Sequence, residues 1–463
     1  MIYSILPAQI EGLPEYEQRL LDKLLQTYNK HEQANIKKDK YYEGHISLGD
    51  VNLGIALPDG MRGLEVGCAW GAKTVDVLAA RSMFDGYVSA SGTEAEELEQ
   101  FVQGNNLLYE YMKACRDELK YGCTFATLSA DDEIGCKIRF HSPRSAAALW
   151  SGELNRISCG FAIIDTKNDG MDEIPVLVNL YTDDAVWVLR LTPDGWTAEE
   201  HRHGMGRPLM EPIVWNATSA KPFGRSRIKE PVRRLIDGYV RTIANAAIGL
   251  EFATAPQKYI LGVTDEQYDQ IVNQKFKQYV GSIIASTNNP DTGEKPTFGQ
   301  LSQGNIGPHT EMIRILATQF SAATGLTVAD TGVVNDANPT SSDAILAQSQ
   351  TLVCMAEQLN AGNGDALRDI ALMALAITNG TNLDGLTDEQ KEVIAHFKNP
   401  AMPSVAVTAD AAIKIASARA EFAETDTFLE MIGFDQADIR RIKAQEERAR
   451  GMALVDEIAN ENI

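Results

Sequence analysis

Apolar positions recur at three- and four-residue steps over most of this chain. The longest such run lies between Phe223 and Pro256, where Ile228, Val232, Leu235, Ile236, Tyr239, Ile243, Ala247 and Leu250 mark one stripe. That period predicts a single amphipathic helix of roughly 25 residues, about 37 Å long at 1.5 Å per residue. Pro231 falls in its first turn, where a missing N–H costs little, and Pro256 ends it by pushing Ala255 out of helical geometry. Weaker stripes predict helices over residues 15–44 (Tyr16, Leu20, Leu21, Leu24, Leu25, Tyr28) and over Glu94–Tyr121 (Leu98, Phe101, Leu107, Leu108, Tyr111, Met112, Cys115, Leu119). A shorter one follows Trp70, with Val75, Leu78, Ala79 and Met83 on one face. Downstream come Thr264–Ile283, opened by a T-D-E-Q capping box, and Pro308–Thr324 with Met312, Ile315, Leu316 and Phe320 inward. A helix from Thr340 runs past Leu352, Met355 and Leu359, and Gly362-Asn363-Gly364 is expected to kink or break it before Leu367–Asn379. Helices near Asp410–Glu424 and Asp435–Arg450, divided at Gly433, complete the chain.

From Gly122 the period changes to two. Thr124–Leu128, Lys137–His141, Cys159–Ile164, Pro175–Tyr181 and Ala185–Leu191 read as strands separated by Asp-, Asn- and Gly-rich turns. Strands without intervening helices argue for an antiparallel sheet and against a doubly wound fold. The class is therefore α+β, mainly helical.

Composition changes this picture little. At 463 residues the chain is long enough for two to four domains. Its net charge of −22 argues against an ordinary DNA-gripping module, whose affinity comes from neutralising phosphates. An acidic surface is equally at home on an enzyme or on a conduit through which DNA slides. The six cysteines form no C-x-x-C pair, so neither a disulfide framework nor a zinc site is expected, and no cofactor or metal is expected. The N-terminus lacks a basic segment followed by an apolar one, and no run approaches the ~20 apolar residues of a membrane helix, so no signal peptide and no membrane partner are expected.

Candidate chemistry is sparse. The long helix is basic early on, with Arg225, Arg227, Lys229, Arg233, Arg234 and Arg241. Asp237 stands four residues from both Arg233 and Arg241, which suits i,i+4 ion pairs on a solvated face, or alternatively a basic ring at the mouth of a channel. Gly67-Cys68-Ala69-Trp70-Gly71 resembles the glycine loop of S-adenosylmethionine-dependent methyltransferases, the alternative functional reading. Against it, Ala69 replaces the middle glycine, and no acidic strand end follows about 20 residues on to hold a ribose. His201 and His203 lack a third ligand in sequence and are expected on a surface loop. G-x-S-x-G, H-E-x-x-H and P-loop motifs do not occur, so no catalytic residue is expected.

Several stretches, in order, resemble the portal proteins of tailed bacteriophages, most of all those of the siphophage type. They are Tyr41-Tyr42-Glu43-Gly44 closing a helix; the Trp70 to Gly86 segment with Lys73, Val75, Asp76, Ala79, Arg81 and Asp85; and Gly224-Arg225-Ser226-Arg227-Ile228 leading to Pro256 and Tyr259-Ile260-Leu261-Gly262. Thr324-Gly325-Leu326 followed by Pro339-Thr340-Ser341-Ser342-Asp343-Ala344-Ile345, and Thr408 to Ala416, complete them. The resemblance implies a portal fold. Its parts are a wing (1–222), a stem helix (223–256), a clip (257–307), a second stem helix (308–326), a tunnel loop (327–339), a long kinked helix returning to the wing (340–403) and a crown (404–463). It implies about twelve copies side by side around a bore at one capsid vertex, with no bond-making group of their own. Double-stranded DNA would pass through during packaging and ejection. Terminase large subunit, neck or head-completion proteins, scaffold and major capsid protein would be partners. It places Asp330, Val333, Val334, Asn335, Asp336 and Asn338 in the tunnel loop, and Lys229, Arg233, Arg234 and Arg241 along the stem channel. Asn288, Asn289, Asp291, Glu294 and Lys295 would be the clip contact for partners.

Overall fold

The computed structural model describes residues 6–7, 9–47, 49, 65–89, 95–169, 172–254, 258–261, 293, 297–300, 306–333, 342–401, 405–434 and 436–461. The first helix, α1 (Glu15–Glu43), is stopped by Gly44, whose φ of 76° suits a residue without a Cβ. Strands β1 (His45–Ser47) and β2 (Glu65–Gly67) pair antiparallel, and β2 leads into α2 (Trp70–Ala79) and β3 (Phe84–Val88). Then come α3 (Glu99–Gly104) and α4 (Leu107–Tyr121). The expected single helix over this region breaks between them, because Asn106 takes a left-handed φ of 48°.

The strands that follow make two antiparallel sheets. One is three-stranded, in the order β11 (Met210–Val214), β4 (Cys123–Asp131), β5 (Gly135–His141). The other is five-stranded and meanders from β6 (Ala146–Ser151) through β7 (Arg156–Asp169), β8 (Asp172–Tyr181) and β9 (Ala185–Thr192) to β10 (Gly195–Arg202). Strands β6, β10 and β11 were not among those the alternation predicts. β6 is apolar through Ala146–Leu149 with no alternation, and the outer half of β10 is charged. The histidine pair departs from a loop: His201 lies within β10, and His203 follows it half-buried.

The predicted strut appears as α5 (Glu230–Thr254), beginning later than the Gly-Arg-Ser turn. β12 (Lys258–Leu261) pairs with β13 (Thr297–Gln300) between α5 and α6 (Gly307–Thr324). The expected Thr264–Ile283 helix and the five clip residues Asn288, Asn289, Asp291, Glu294 and Lys295 lie outside the described residues. So do Val334, Asn335, Asp336 and Asn338 of the expected tunnel loop. α7 (Ser342–Thr378) is one unbroken helix of 37 residues, so of the expected kink or break at Gly362-Asn363-Gly364 the break does not occur. α8 (Asp388–Lys391) and β14 (Ile394–Phe397) return the chain to β3, beside which β14 pairs antiparallel. α9 (Val405–Ala418), a 3₁₀ turn at Ala420–Glu424, α10 (Asp426–Ile432) and α11 (Gln436–Glu461) form the C-terminal part. Gly433 does end α10, but α9 starts earlier than expected.

One core joins α2, α4, both ends of the three-stranded sheet, α5, α6 and α7; a second lies between α1 and the five-stranded sheet, around Leu21, Leu24, Phe161, Leu180, Leu189 and Trp196. Tyr16 stands outside this second core, exposed, although the stripe had included it. Leu108 and Met112 are likewise exposed on α4, and Met83 falls beyond the end of α2. From Ile228, just before α5, the buried line continues along the helix through Val232, Ile236, Val240 and Ala244, a strict four-residue step. Beyond Ala244, no side chain through Leu250 is buried. The helices α5 and α6 pack on one another within the subunit, with Gly238 admitting the Leu316 side chain. Met312 and Ile315, expected inward on α6, remain exposed on its far side.

Candidate channel site at the stem root

The Gly224-Arg225-Ser226-Arg227 turn is bolted to the end of α4. A Cβ on Gly224 would sit 2.1 Å from the Trp215 carbonyl oxygen, so only glycine fits there. The Arg225 amide donates to that same carbonyl, the Arg227 amide to Leu119 O at 2.9 Å, and the Ser226 hydroxyl to Lys120 O at 2.5 Å.

Arg227 was expected on the polar side of the strut. It is instead buried, at 6% exposure. Its Nε donates to Thr74 O of α2 at 2.6 Å and its Nη2 to Thr324 O at 2.7 Å. Thr324 is the last residue of α6, so a cation completes a carbonyl that the helix end leaves open, where positive charge is favoured. Its remaining nitrogen faces Met355 Sδ of α7 at 3.6 Å, and Trp215 lies under the guanidinium at 5.8 Å. Burial lowers the Arg227 pKa to about 10, which leaves it charged at neutral pH. One side chain thus ties α2, α6 and α7 to the start of α5. Nothing in its charge distinguished it from the other basic residues nearby; its burial follows from the turn, which the Gly224 approach dictates.

Trp70 holds the next segment. Its ring lies 4.5 Å from Tyr239 of α5 and 4.7 Å from Phe320 of α6, and its Nε1 donates to Thr331 O at 3.2 Å. Asp330, expected to face DNA, has its carboxylate bonded to the Thr327 amide at 2.9 Å and hydroxyl at 2.8 Å, closing a short turn. Val333 is half-buried against the core.

The basic stem residues do not converge. Arg233 donates to Ile228 O at 2.8 Å and stands over the Tyr41 ring at 5.9 Å. Tyr41 donates to Asp237 at 2.6 Å, and burial of that carboxyl raises its pKa. Arg234 pairs with Glu230 at 3.1 Å with both side chains mostly exposed, an interaction worth a few tenths of a kcal/mol. Arg241 is half-buried further along. Lys229 is exposed at the edge of a cleft of about 600 Å³ that Arg227, Thr324, Gly325 and Met355 also line.

The Gly67–Gly71 loop serves packing. β2 is paired antiparallel in a two-stranded sheet, not set in a parallel one. A Cβ on Gly71 would lie 1.9 Å from the Tyr41 carbonyl oxygen, so the glycine lets α2 press against the end of α1. Among the described residues no group of three His, Cys, Asp or Glu could hold a metal ion, and no helix is long and apolar enough to cross a membrane.

The family model for phage portal protein, SPP1 Gp6-like, matches residues 21–452. No curated protein matches the chain. Among solved structures, a chain of the virion of native gene transfer agent (GTA) particle is similar at 13% identity, over 79% of this chain and 89% of that one, with a TM-score of 0.44. A chain from the neck of empty GTA particle computed with C6 symmetry has 12% identity, coverage of 79% and 90%, and a TM-score of 0.45. One from the neck of native GTA particle computed with C12 symmetry has 12% identity, coverage of 79% and 89%, and a TM-score of 0.44.

Proposed function

Since the chain belongs to the SPP1 Gp6-like phage portal protein family and is a portal protein, we propose how it performs that task. About twelve copies close head to tail into a ring at one capsid vertex, as a heterologous interface closes when its rotation divides a full turn. Double-stranded DNA passes through the bore into the head and out again. The family match over residues 21–452 carries this reading. Apolar side chains left bare on the stem pair, Leu250 on α5 and Met312 and Ile315 on α6, support it as a surface for the neighbouring copy.

The net charge of −22 suits a wall that repels phosphate and keeps DNA sliding. The family is structural, so the energy for translocation comes from a terminase motor docked on the segment between α5 and α6, around Asn288–Lys295. Neck or head-completion proteins later take the same segment. Residues Val333, Val334, Asn335, Asp336 and Asn338 form the transient DNA contact, with Asp330 serving the root of that loop. Lys229, Arg234 and Arg241 are the stem cations nearest the bore, while Arg233 is engaged with Tyr41. Scaffold and major capsid protein surround the ring during assembly.

Deleting residues 333–338 tests the DNA contact. The expected result is intact rings in heads that stay empty. Normally filled heads would refute the assignment.

A further inference from the structure

Helix α7 crosses Gly362-Asn363-Gly364 without a break, although glycine is among the weakest helix formers. Local propensity does not explain this continuity, and a Cβ at Gly362 would meet nothing within 4 Å, so close packing at that glycine does not either. Side-chain bonds do. Asn363 Nδ2 donates to the Tyr111 hydroxyl and to Glu118 Oε2, both at 2.8 Å, and Tyr111 shares a 2.7 Å hydrogen bond with the Ser82 hydroxyl. One turn further, the Tyr87 hydroxyl donates to Leu367 O at 3.0 Å. Glu118, Asn363 and Tyr111 are wholly buried, and Ser82 nearly so.

We propose that Glu118, Asn363, Tyr111 and Ser82 form a proton-dependent latch that keeps α7 helical across its glycines, and that loss of the Glu118 proton loosens the helix there. Glu118 Oε1 and Asn363 Oδ1 are both buried without a hydrogen-bond donor. A carboxylate and an amide oxygen only accept, so a proton on Glu118 supplies the donor this network lacks. The titratable groups that face Glu118 are Tyr111 and Cys115 on its own helix and Cys123 from β4, and all three are held neutral by burial. No cation acts on Glu118 itself, and the two that act on its cysteine neighbours are engaged elsewhere: Arg116 with Asp76 at 3.6 Å, and Lys38 from α1 with Asn35 and the Tyr121 carbonyl. An ionised Glu118 would therefore be a buried charge without a counter-ion, which is costly.

Burial raises the Glu118 pKa from 4.5 to about 8. The sign follows. The fold holds this proton where the unfolded chain has lost it, so the latch contributes most below pH 4.5 and releases as the pH rises through about 8. The half of α7 beyond the glycines is fixed to the wing by buried Leu367, Ile370, Ala371 and Ala374. The half before them carries Met355, which touches Arg227 and faces Gly325 at the loop root. Loosening at the glycines would thus reach Arg227 and the Gly325 turn through Met355.

Hydrogen exchange on the full chain, normalised for intrinsic rates, reads the latch at residues 358–368. Wild type should exchange at least about ten-fold faster at pH 9 than at pH 6.5. Glu118→Gln, whose amide donates without titrating, should exchange equally at both. In a Glu211→Gln background, which removes the other buried carboxyl that titrates in this range, an infrared band of a buried protonated carboxyl should be present at pH 6.5 and gone at pH 9. Equal protection of wild type at both pH values, the same rise in Glu118→Gln, or no such band at pH 6.5 overturns the proposal. Should Glu118→Gln fail to fold, the titrations with Glu118 in place decide alone. Band loss and exchange gain sharing one midpoint supports the latch, and midpoints more than a unit apart overturn it.

Discussion

Arg227 is the residue on which the stem root turns. Replacing it with Met keeps much of the volume but leaves the Thr74 and Thr324 carbonyls without their buried donor. A loss of about 2–4 kcal/mol is expected in urea denaturation, against a change within about 0.5 kcal/mol for Arg234→Ala on the exposed face. His141 offers a pH test at the same scale. It is buried on β5, shares a 3.0 Å hydrogen bond with Thr127, and burial lowers its pKa from 6.5 to about 4. The unfolded chain therefore takes up this proton first. Stability is full above pH 6.5 and falls towards pH 4, by up to about 3 kcal/mol, and His141→Asn should remove that part of the slope in a pH series of melts. The sequence showed neither role. An arginine among six basic residues and a histidine in an alternating strand carry no mark of burial, because burial is decided by what packs over them.

At the scale of elements, periodicity was a good guide to where helices lie and a poor one to which side they bury. The bounds of α1, α5 and α6 were legible within a few residues. Their buried faces were only partly so, because Tyr16, Met312, Ile315 and Leu250 have the right spacing but no surface of the same subunit to meet. The unbroken α7 was misread for a different reason. Glycine lowers helix propensity locally, and the buried bonds from α4 that override it join residues 245 and 252 positions apart. The Gly67–Gly71 loop shows how one pattern serves two ends, and a pair of variants separates them. Gly71→Ala forces a Cβ onto the Tyr41 carbonyl and should cost more than about 3 kcal/mol or prevent folding. Gly67→Ala meets nothing within 4 Å and should melt like wild type. A cofactor loop would need both glycines for function without this contrast in stability.

At the scale of the whole molecule, family membership was readable because short segments fell in the right order over most of the chain, although none is diagnostic alone. What the single chain adds is an account of the parts that stay fixed: a stem pair packed on itself, an arginine at its root and a tryptophan holding the base of the loop. The apolar flank left over and the heavily acidic composition support the proposed ring around sliding DNA. Closure into that ring is the central claim, and light scattering on purified chain, with electron microscopy of the same sample, tests it most directly. The account predicts closed rings with a central hole and a mass near 600 kDa, about twelve times the subunit's 50.6 kDa. A chain that stays monomeric or dimeric at every concentration, even when made together with its scaffold and capsid proteins, would contradict it.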